Sequence, residues 1–455
     1  MADTVAVSWA AAELGGANLG DARLNRRLVQ VAERLGAQPG ASIPVACGGW
    51  AETQAAYRLL AHEDVDWEAV LTPHWERSVE RMRGQPVVLC VQDSTELDYT
   101  SQPGIAGLGP LSYLRQHGLY VHPTLAVTPD GVPLGVLDAW LWSRDRDTFG
   151  ADKRHWPIEA KESMRWLEGF ERCAELADTL PDTRLVYVAD RECDIHEFMV
   201  RAHQQPGLDW LIRATHNRCL AEGDKLWDRL AQAPSLGEVG FTLPARANRP
   251  ARPVVLTVRA ERVTLRPKGG ESVTVTALRA REESPPVGVE PLDWRLLTNR
   301  PATTLAQAAE LLQWYGSRWG IEVFFRILKT GCRVEALQLS TRERLEPALA
   351  LYLIIAWRIQ YLTVLGRTTP ELPCDTVLDP AEWQAVYVAI HQQPPPPAPP
   401  PLPVVLGWIA RLGGHLGRKG DGPPGPQALW IGLQRARDLA WGMQLASDLQ
   451  AQSTA

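Results

Sequence analysis

The alternation of apolar and polar residues changes period several times along the chain. Between residues 19 and 36, LGDARLNRRLVQVAERLG places Leu24, Leu28, Val31 and Leu35 at helical spacing, with Asp21 near the start and Arg23, Arg26, Arg27 and Arg34 elsewhere around the helix. A second helix, ETQAAYRLLAHED, follows the Gly48-Gly49 break, so residues 1–70 read as two or three short helices. From about residue 86 the period shortens. PVVLCVQD is a short apolar run closed by Asp93, the form of a buried strand. LYVHPTLAV and VPLGVLDAWLW are extended runs joined by Pro129-Asp130-Gly131, a hairpin turn. A charged helical stretch over roughly 156–179 precedes RLVYVAD, a second buried-type strand ending at Asp190.

Further along, VVLTVRAERVTL and SVTVTALRARE are rich in Val and Thr, with Pro and Gly between them, and predict a separate β-rich insertion over about 205–290. WRLLTNR (294–300) returns to an apolar strand, and a long helix begins near Thr304. LEPALALYLIIAWRIQYLTVL predicts a buried helix. PPPPAPPPLP (394–403) predicts an extended spacer, and VVLGWIARLGG and QALWIGLQRARDLAWGMQLA two closing helices. The β-ββ-α-β order, with acids closing two apolar strands, matches a ribonuclease-H-like α/β catalytic core. The predicted organisation is a helical domain over 1–70, that core over 71–368 with its insertion, and a helical domain over 369–455 containing the proline spacer.

Composition narrows this little. Hydrophobic residues make up 45% and charged residues 22%, as in an ordinary globular chain of several domains. MADTVAVSWAAAELGG lacks a basic segment followed by an apolar core, no uncharged apolar run approaches the ~18 residues that span a bilayer, and the seven cysteines form no C-x-x-C pair. A reducing, cytoplasmic setting is therefore expected, with neither a zinc site nor a disulfide framework. Charge changes the picture more. The net value of −6 argues against a nucleic-acid partner, but residues 211–281 hold thirteen Lys/Arg against six Asp/Glu, leaving the rest of the chain at −13. A basic module in an acidic chain suits a protein that meets phosphate on some faces only; an Arg-rich, solvated β-domain gives the same count.

The most specific segment is WYGSRWGIEVFFRILK. At ~100° per residue, Tyr315, Arg318, Glu322 and Lys329 fall within an arc of about 60°, spread over about 21 Å of helix. Ile321, Phe324, Phe325 and Leu328 fall on a separate, apolar face. From spacing alone, an amphipathic helix with solvated charges is the commoner outcome.

Y-x2-R-x3-E-x6-K is, however, the signature of the Tn-five-like transposases of the IS-four insertion-sequence family, and the segment fits it without a gap. LGDARLNRRLVQVAERLG followed by AAYRLL resembles that family's end-binding region. QDST at Asp93 and ADRECDI at Asp190 resemble its two catalytic Asp motifs. WRLLTNRPATTLAQA, CDTVLDPAEW and WIARLGG with ALWIGL also match, so the resemblance runs along almost the whole chain.

The resemblance implies a DNA transposase whose Asp93, Asp190 and Glu322 are catalytic and metal-binding. Two Mg2+ ions (Mn2+ can substitute) about 4 Å apart would activate the attacking oxygen and stabilise the leaving one, Asp93 bridging both. Hard dications require oxygen ligands, which accounts for three carboxylates and no Cys or His cluster. Tyr315, Arg318 and Lys329 would contact phosphates beside the cleaved bond. Trp294, with Trp319 as a second wall, would stack a base turned out of the duplex, although core packing is the common fate of a Trp in a chain with eighteen. Arg191 and Glu192 are candidates for contacts beside Asp190, and Arg23, Arg26 and Arg27 for DNA-end binding. Implied partners are double-stranded DNA (terminal inverted repeats and target) and a second copy of the chain in the synaptic complex. Implied chemistry is cut-and-paste transposition through a hairpin, in a bacterial cytoplasm and at the nucleoid when acting. The alternative is a catalytically silent DNA-binding or inhibitory dimer. Two departures stand out: the proline tract replaces a segment often basic in relatives, and the aromatic pair expected after the first Asp motif is Leu119-Tyr120.

Overall fold

A computed structural model describes residues 8–152, 155–205, 207–243, 250–266 and 270–454. The first seven residues, and the parts of the basic stretch at 244–249 and 267–269, lie outside the described residues.

The chain opens with five helices, α1 (Trp9–Leu14), α2 (Ala22–Ala37), α3 (Ile43–Cys47), α4 (Trp50–Leu59) and α5 (Trp67–Met82). Asp21 starts α2 by accepting a hydrogen bond from the Arg23 amide, and Leu28, Val31, Ala32 and Leu35 line its buried face. The link to the rest of the protein runs through α5. His74, fully buried, accepts the Val136 amide at Nε2 (3.1 Å), so its proton is on Nδ1 and points at Glu13 Oε2 of α1 (2.7 Å). Arg81 adds a second bond to Glu13 at 2.5 Å.

Among the described residues eleven strands follow: β1 (Val87–Gln92), β2 (Thr95–Asp98), β3 (Gly109–Pro110), β4 (His117–Val127), β5 (Pro133–Trp142), β6 (Arg184–Ala189), β7 (Asp209–Arg213), β8 (Ser235–Leu243), β9 (Arg252–Leu265), β10 (Val273–Arg281) and β11 (Asp293–Thr298). All belong to one mixed sheet of order β2-β4-β1-β6-β7-β11-β10-β9-β8, with β3 and β5 also paired to β4. β1, β6 and β7 are mutually parallel, joined by crossovers carrying α6 (Met164–Asp178) and α7 (His196–Gln204). Leu89, Val91, Val186 and Val188 face one core; Val88, Cys90, Tyr187 and Ala189 face the other, beneath α6 and α7. This is the mixed, doubly covered sheet of a ribonuclease-H-like core.

The expected separate insertion does not separate. β10 pairs antiparallel with β11 over Thr276–Arg281, β9 and β8 add beyond it, and the short α8 (Leu226–Gln232) packs on β9 and β10. β7, inside the span expected as insertion, is instead a core strand parallel to β6. The free edge of β11 is a row of unpaired backbone groups, and the next hairpin satisfies them by continuing the ladder. Much of the basic stretch is also neutralised in place: Arg218 pairs with Asp194, Arg229 with Glu261, Arg252 with Glu282, Arg259 with Glu283 and Arg279 with Asp293.

The remaining helices are α9 (Leu305–Ser317), α10 (Trp319–Arg326), α11 (Arg342–Thr368), α12 (Pro380–His391), α13 (Leu402–Leu412) and α14 (Pro426–Thr454). α11 is long and apolar enough by length and composition to cross a membrane, but its most apolar window is 83% buried against α5, α10 and β5. The proline tract is extended only up to Pro401. Leu402 and Pro403 begin α13, where a proline in the first turn forfeits no helical hydrogen bond. The tract is not a free spacer either: Cys374 N–H donates to the Pro400 carbonyl (2.9 Å) and Leu402 N–H to Leu372 (2.6 Å).

Acid should loosen the α1–α5 junction first. Burial holds His74 below its ordinary value, and His74 and Arg81 hold Glu13 below the usual carboxylate range despite its own burial. The unfolded chain therefore takes up these protons more readily than the fold. Their stabilisation is complete above about pH 6.5, the ordinary histidine value, and lost on acidification. Thermal melts at pH 7.5 and 5.5 check this: the drop should be smaller for His74→Gln than for the parent protein.

Candidate active site

Two strand ends set two carboxylates side by side, and one helix brings a third that a guanidinium links to the pair. Gln92 and Ala189 are partners in the parallel β1–β6 ladder, so Asp93 and Asp190 leave the sheet side by side, on strands about 4.8 Å apart. Asp93 is buried and accepts the Ser94 amide (2.8 Å). Asp190 is half-buried and accepts the Glu192 amide (2.8 Å), opening a short helical turn. Glu322 projects from α10. Arg318, in the turn between α9 and α10, reaches across: its Nη1 donates to Asp93 Oδ2 (2.7 Å) and its Nη2 to Glu322 Oε1 (3.3 Å). Burial pushes the Asp93 carboxyl up to about 7, the neighbouring Asp190 charge adds to this, and Arg318 opposes it.

A buried polar lattice fixes the strand ends. Gln92 donates to Thr124 Oγ1 (3.1 Å), and the Tyr187 hydroxyl lies within hydrogen-bond range of Gln92 Oε1 and of the Trp166 carbonyl. Gly169 leaves the room this needs, since a Cβ there would sit 1.9 Å from Gln92 Nε2. On the Asp93 turn itself, Ser94 Oγ is 2.6 Å from His122 Nδ1.

The signature helix is not one uniform stripe. It breaks at Arg318 and passes into a π-turn over Ile327–Gly331, so the even 100° step fails at both places. Arg318 and Glu322 stay with the carboxylates. Tyr315 is buried, edge-on to Trp294 (5.8 Å, 69°), and its hydroxyl has no hydrogen-bond partner among the described residues. Lys329 lies at the far end, 3.9 Å from Glu335, beside an open groove lined by Asp98, Thr100 and Arg333. The apolar face is as expected: Ile321, Phe324, Phe325 and Leu328 are buried. Trp294 is half-buried and stacks on Phe241 of β8 (6.1 Å, 28°), whereas Trp319 is 52% exposed. Arg191 and Glu192 are exposed beside Asp190. Arg23, Arg26 and Arg27 sit apart on α2; Arg23 folds back on Asp21 (2.8 Å), Arg27 pairs with Glu52 (2.5 Å) and Arg26 is exposed.

Sequence reading overlooked Arg213, whose charge acts on Tyr315. It closes the apolar run DWLIR just as the two Asp residues close theirs, so the signal was present. His122 and Gln92 gave none, because a polar residue inside an apolar strand announces no partner.

The donor set suits a hard dication, being carboxylate only. Among the described residues no three such ligands yet converge as a metal cluster; the Arg318 guanidinium spans Asp93 and Glu322 instead. A mixed sheet with two acids on adjacent parallel strands and a third on a later helix is the working part of a ribonuclease-H-like, metal-dependent nuclease and strand transferase. Three family descriptions match the chain: "Transposase DNA-binding" over residues 6–65, "Transposase DDE domain" over 168–358 and "Transposase Tn5 dimerisation domain" over 354–451. The chain belongs to the Tn5-like DDE transposases, which bind DNA, form homodimers and use divalent metal ions. The DDE match contains Asp190 and Glu322 but begins beyond Asp93, which the β1–β6 pairing brings in.

Removing the arginine tests this electrostatic arrangement. Arg318→Ala should lower the stability of the metal-free protein by about 1–3 kcal/mol, the usual cost of stripping a partner from a buried polar group. Saturating Mn2+ should restore more stability to the variant than to the parent, read as the metal-induced rise in melting temperature.

Proposed function

We propose that this protein is a cut-and-paste transposase that binds terminal inverted repeats, excises its element through a hairpin intermediate and joins it to target DNA. The observation that carries the reading is the Asp93–Asp190 pair on adjacent strands, with Glu322 tied to it through Arg318. Asp93, Asp190 and Glu322 would hold two Mg2+ ions, with Mn2+ able to substitute. The metals supply Lewis-acid activation of the attacking oxygen and charge neutralisation at the leaving one. Arg318, here bonded to Asp93 and Glu322, would turn its fork to a phosphate beside the scissile bond. Tyr315, with its unpartnered hydroxyl, and Lys329, at the far end of the helix, would hold the same strand at two separated points. Trp294 offers a face for a base turned out of the duplex, as hairpin formation requires, and Trp319 an exposed second ring.

End recognition is assigned to the α1–α4 bundle, where Arg26 is exposed and Arg23 and Arg27 would exchange their acids for phosphate. Pairing of two copies is assigned to the distal half of α14, which exposes Trp441, Met443, Leu445 and Leu449. Action at bacterial DNA in the cytoplasm follows from this reading.

The test is Mg2+-dependent cleavage of a plasmid carrying the element's own terminal repeats. Glu322→Gln is expected to cut about 10^2–10^3-fold more slowly, yet to retard the same ends in a gel as well as the parent protein. Equal cutting by parent and variant, or none by either, would refute the enzyme reading; the second result would leave a silent DNA-binding dimer.

A further inference from the structure

The face of the sheet opposite the signature helix carries a second feature beside the carboxylates. Leu119 and Val121 of β4 pack in the same core as Tyr315 and Phe324. Tyr120 and His122 alternate with them and point the other way, where His122 meets Trp166 of α6 edge-on at 4.6 Å. Here an open, polar pocket of about 510 Å3 reaches Ser94, which follows Asp93, and Arg191 and Glu192, which follow Asp190. It therefore lies beside the residues that follow the acid pair, on the side of the sheet away from Tyr315.

Two properties of its wall suggest a ligand. His122, at the foot of the pocket, is fully buried; its Nδ1 meets Ser94, and its Nε2 has no hydrogen-bond partner among the described residues. Such an atom costs free energy until something bonds to it. The wall is also pre-ordered. Arg144 lies over Tyr120 (4.2 Å), Tyr120 stacks on Trp142 (5.0 Å, 17°), and Arg165 lies over Trp142 (3.8 Å). Glu162 fixes Arg144 from the side with two bonds of 2.7 Å. Among the described residues, Arg165, partly buried, donates one long bond of 3.4 Å to the Glu162 carbonyl. Every aromatic face in the stack is taken, so the pocket offers edges, hydroxyls, carboxylates and guanidinium groups rather than a stacking platform. Mixed donors and acceptors of this kind fit a nucleotide better than an apolar or purely anionic ligand.

We propose that this pocket holds a nucleotide on the far side of the reacting phosphate: flanking DNA before cleavage and target DNA before joining. The proposal rests on the transposase reading of the carboxylates. In-line displacement needs the entering and leaving oxygens on opposite sides of phosphorus. The α9–α10 wall serves one segment, and this pocket lies next to the acid-bearing strand ends on the other face of the sheet.

The experiment compares two duplexes in the presence of Ca2+: the terminal repeat ending at the cleavage point, and the same repeat extended by ten base pairs of flank. The parent protein should bind the extended duplex more tightly. Arg165→Gln should lose about tenfold for the extended duplex and stay within twofold on the cut end, and Arg165→Lys should recover part of the difference. Equal losses on both duplexes, or no loss on either, would overturn the assignment. Cleavage by the parent protein in Mg2+ separates the two ideas. If it cuts and Arg165→Gln keeps the full gain from the flank, the pocket assignment alone fails; if the parent does not cut, the reading of the carboxylates fails first.

Discussion

Two acids leaving neighbouring parallel strands repel each other, and everything distinctive about this protein follows from holding them together. The fold offsets the repulsion with one guanidinium: Arg318 bonds Asp93 directly and draws Glu322 into the same field. Burial alone leaves Asp93 reluctant to ionise near neutrality, and Asp190 adds to that. The arrangement is thus primed for cations, with a protein cation in place until others arrive.

Delivering Arg318 to that point sets demands on the surrounding structure. Ile321 and Phe324 must pack α10 into the main core and against α11, which fixes the angle from which the guanidinium approaches. The strand ends must not shift, and the buried Gln92, Thr124 and Tyr187 lattice, accommodated by Gly169, holds them from below. Polar groups bonded within a core are costly to disturb, so this lattice fixes relative position more than it adds stability. The β8–β11 extension belongs to the same scheme. It carries Trp294 on β11 toward Tyr315 and backs it with Phe241 from β8.

The two faces of the sheet end consequently differ in chemistry. The α9–α10 face carries a buried phenol, the guanidinium that bonds Asp93 and a half-buried indole. The α6 face presents a locked Arg-Tyr-Trp-Arg stack with an unpartnered imidazole nitrogen at its base. Tyr120 finds its ring partner, Trp142, on the neighbouring strand. A one-dimensional motif cannot show that contact, because strand pairing reaches twenty-two residues along the chain.

What the sequence by itself determined was local and periodic. Apolar runs closed by Asp93 and Asp190, a buried α11, the apolar face of α10 and the capped α2 could all be read from spacing, because burial imposes those periods directly. The family signature made Glu322 legible as a site residue. Tertiary structure decided what depends on pairing across distance. It put β1 beside β6, so that two acids ~97 residues apart in the chain share one place. It merged the expected insertion into the sheet, pinned the proline tract against residues 372–374, and cancelled much of the basic stretch with acids from other segments. It also broke the signature helix at Arg318 and at its π-turn, separating Lys329 from the residues it had shared an arc with. Periodicity records which residues are hidden; only packing settles which hidden and charged groups meet.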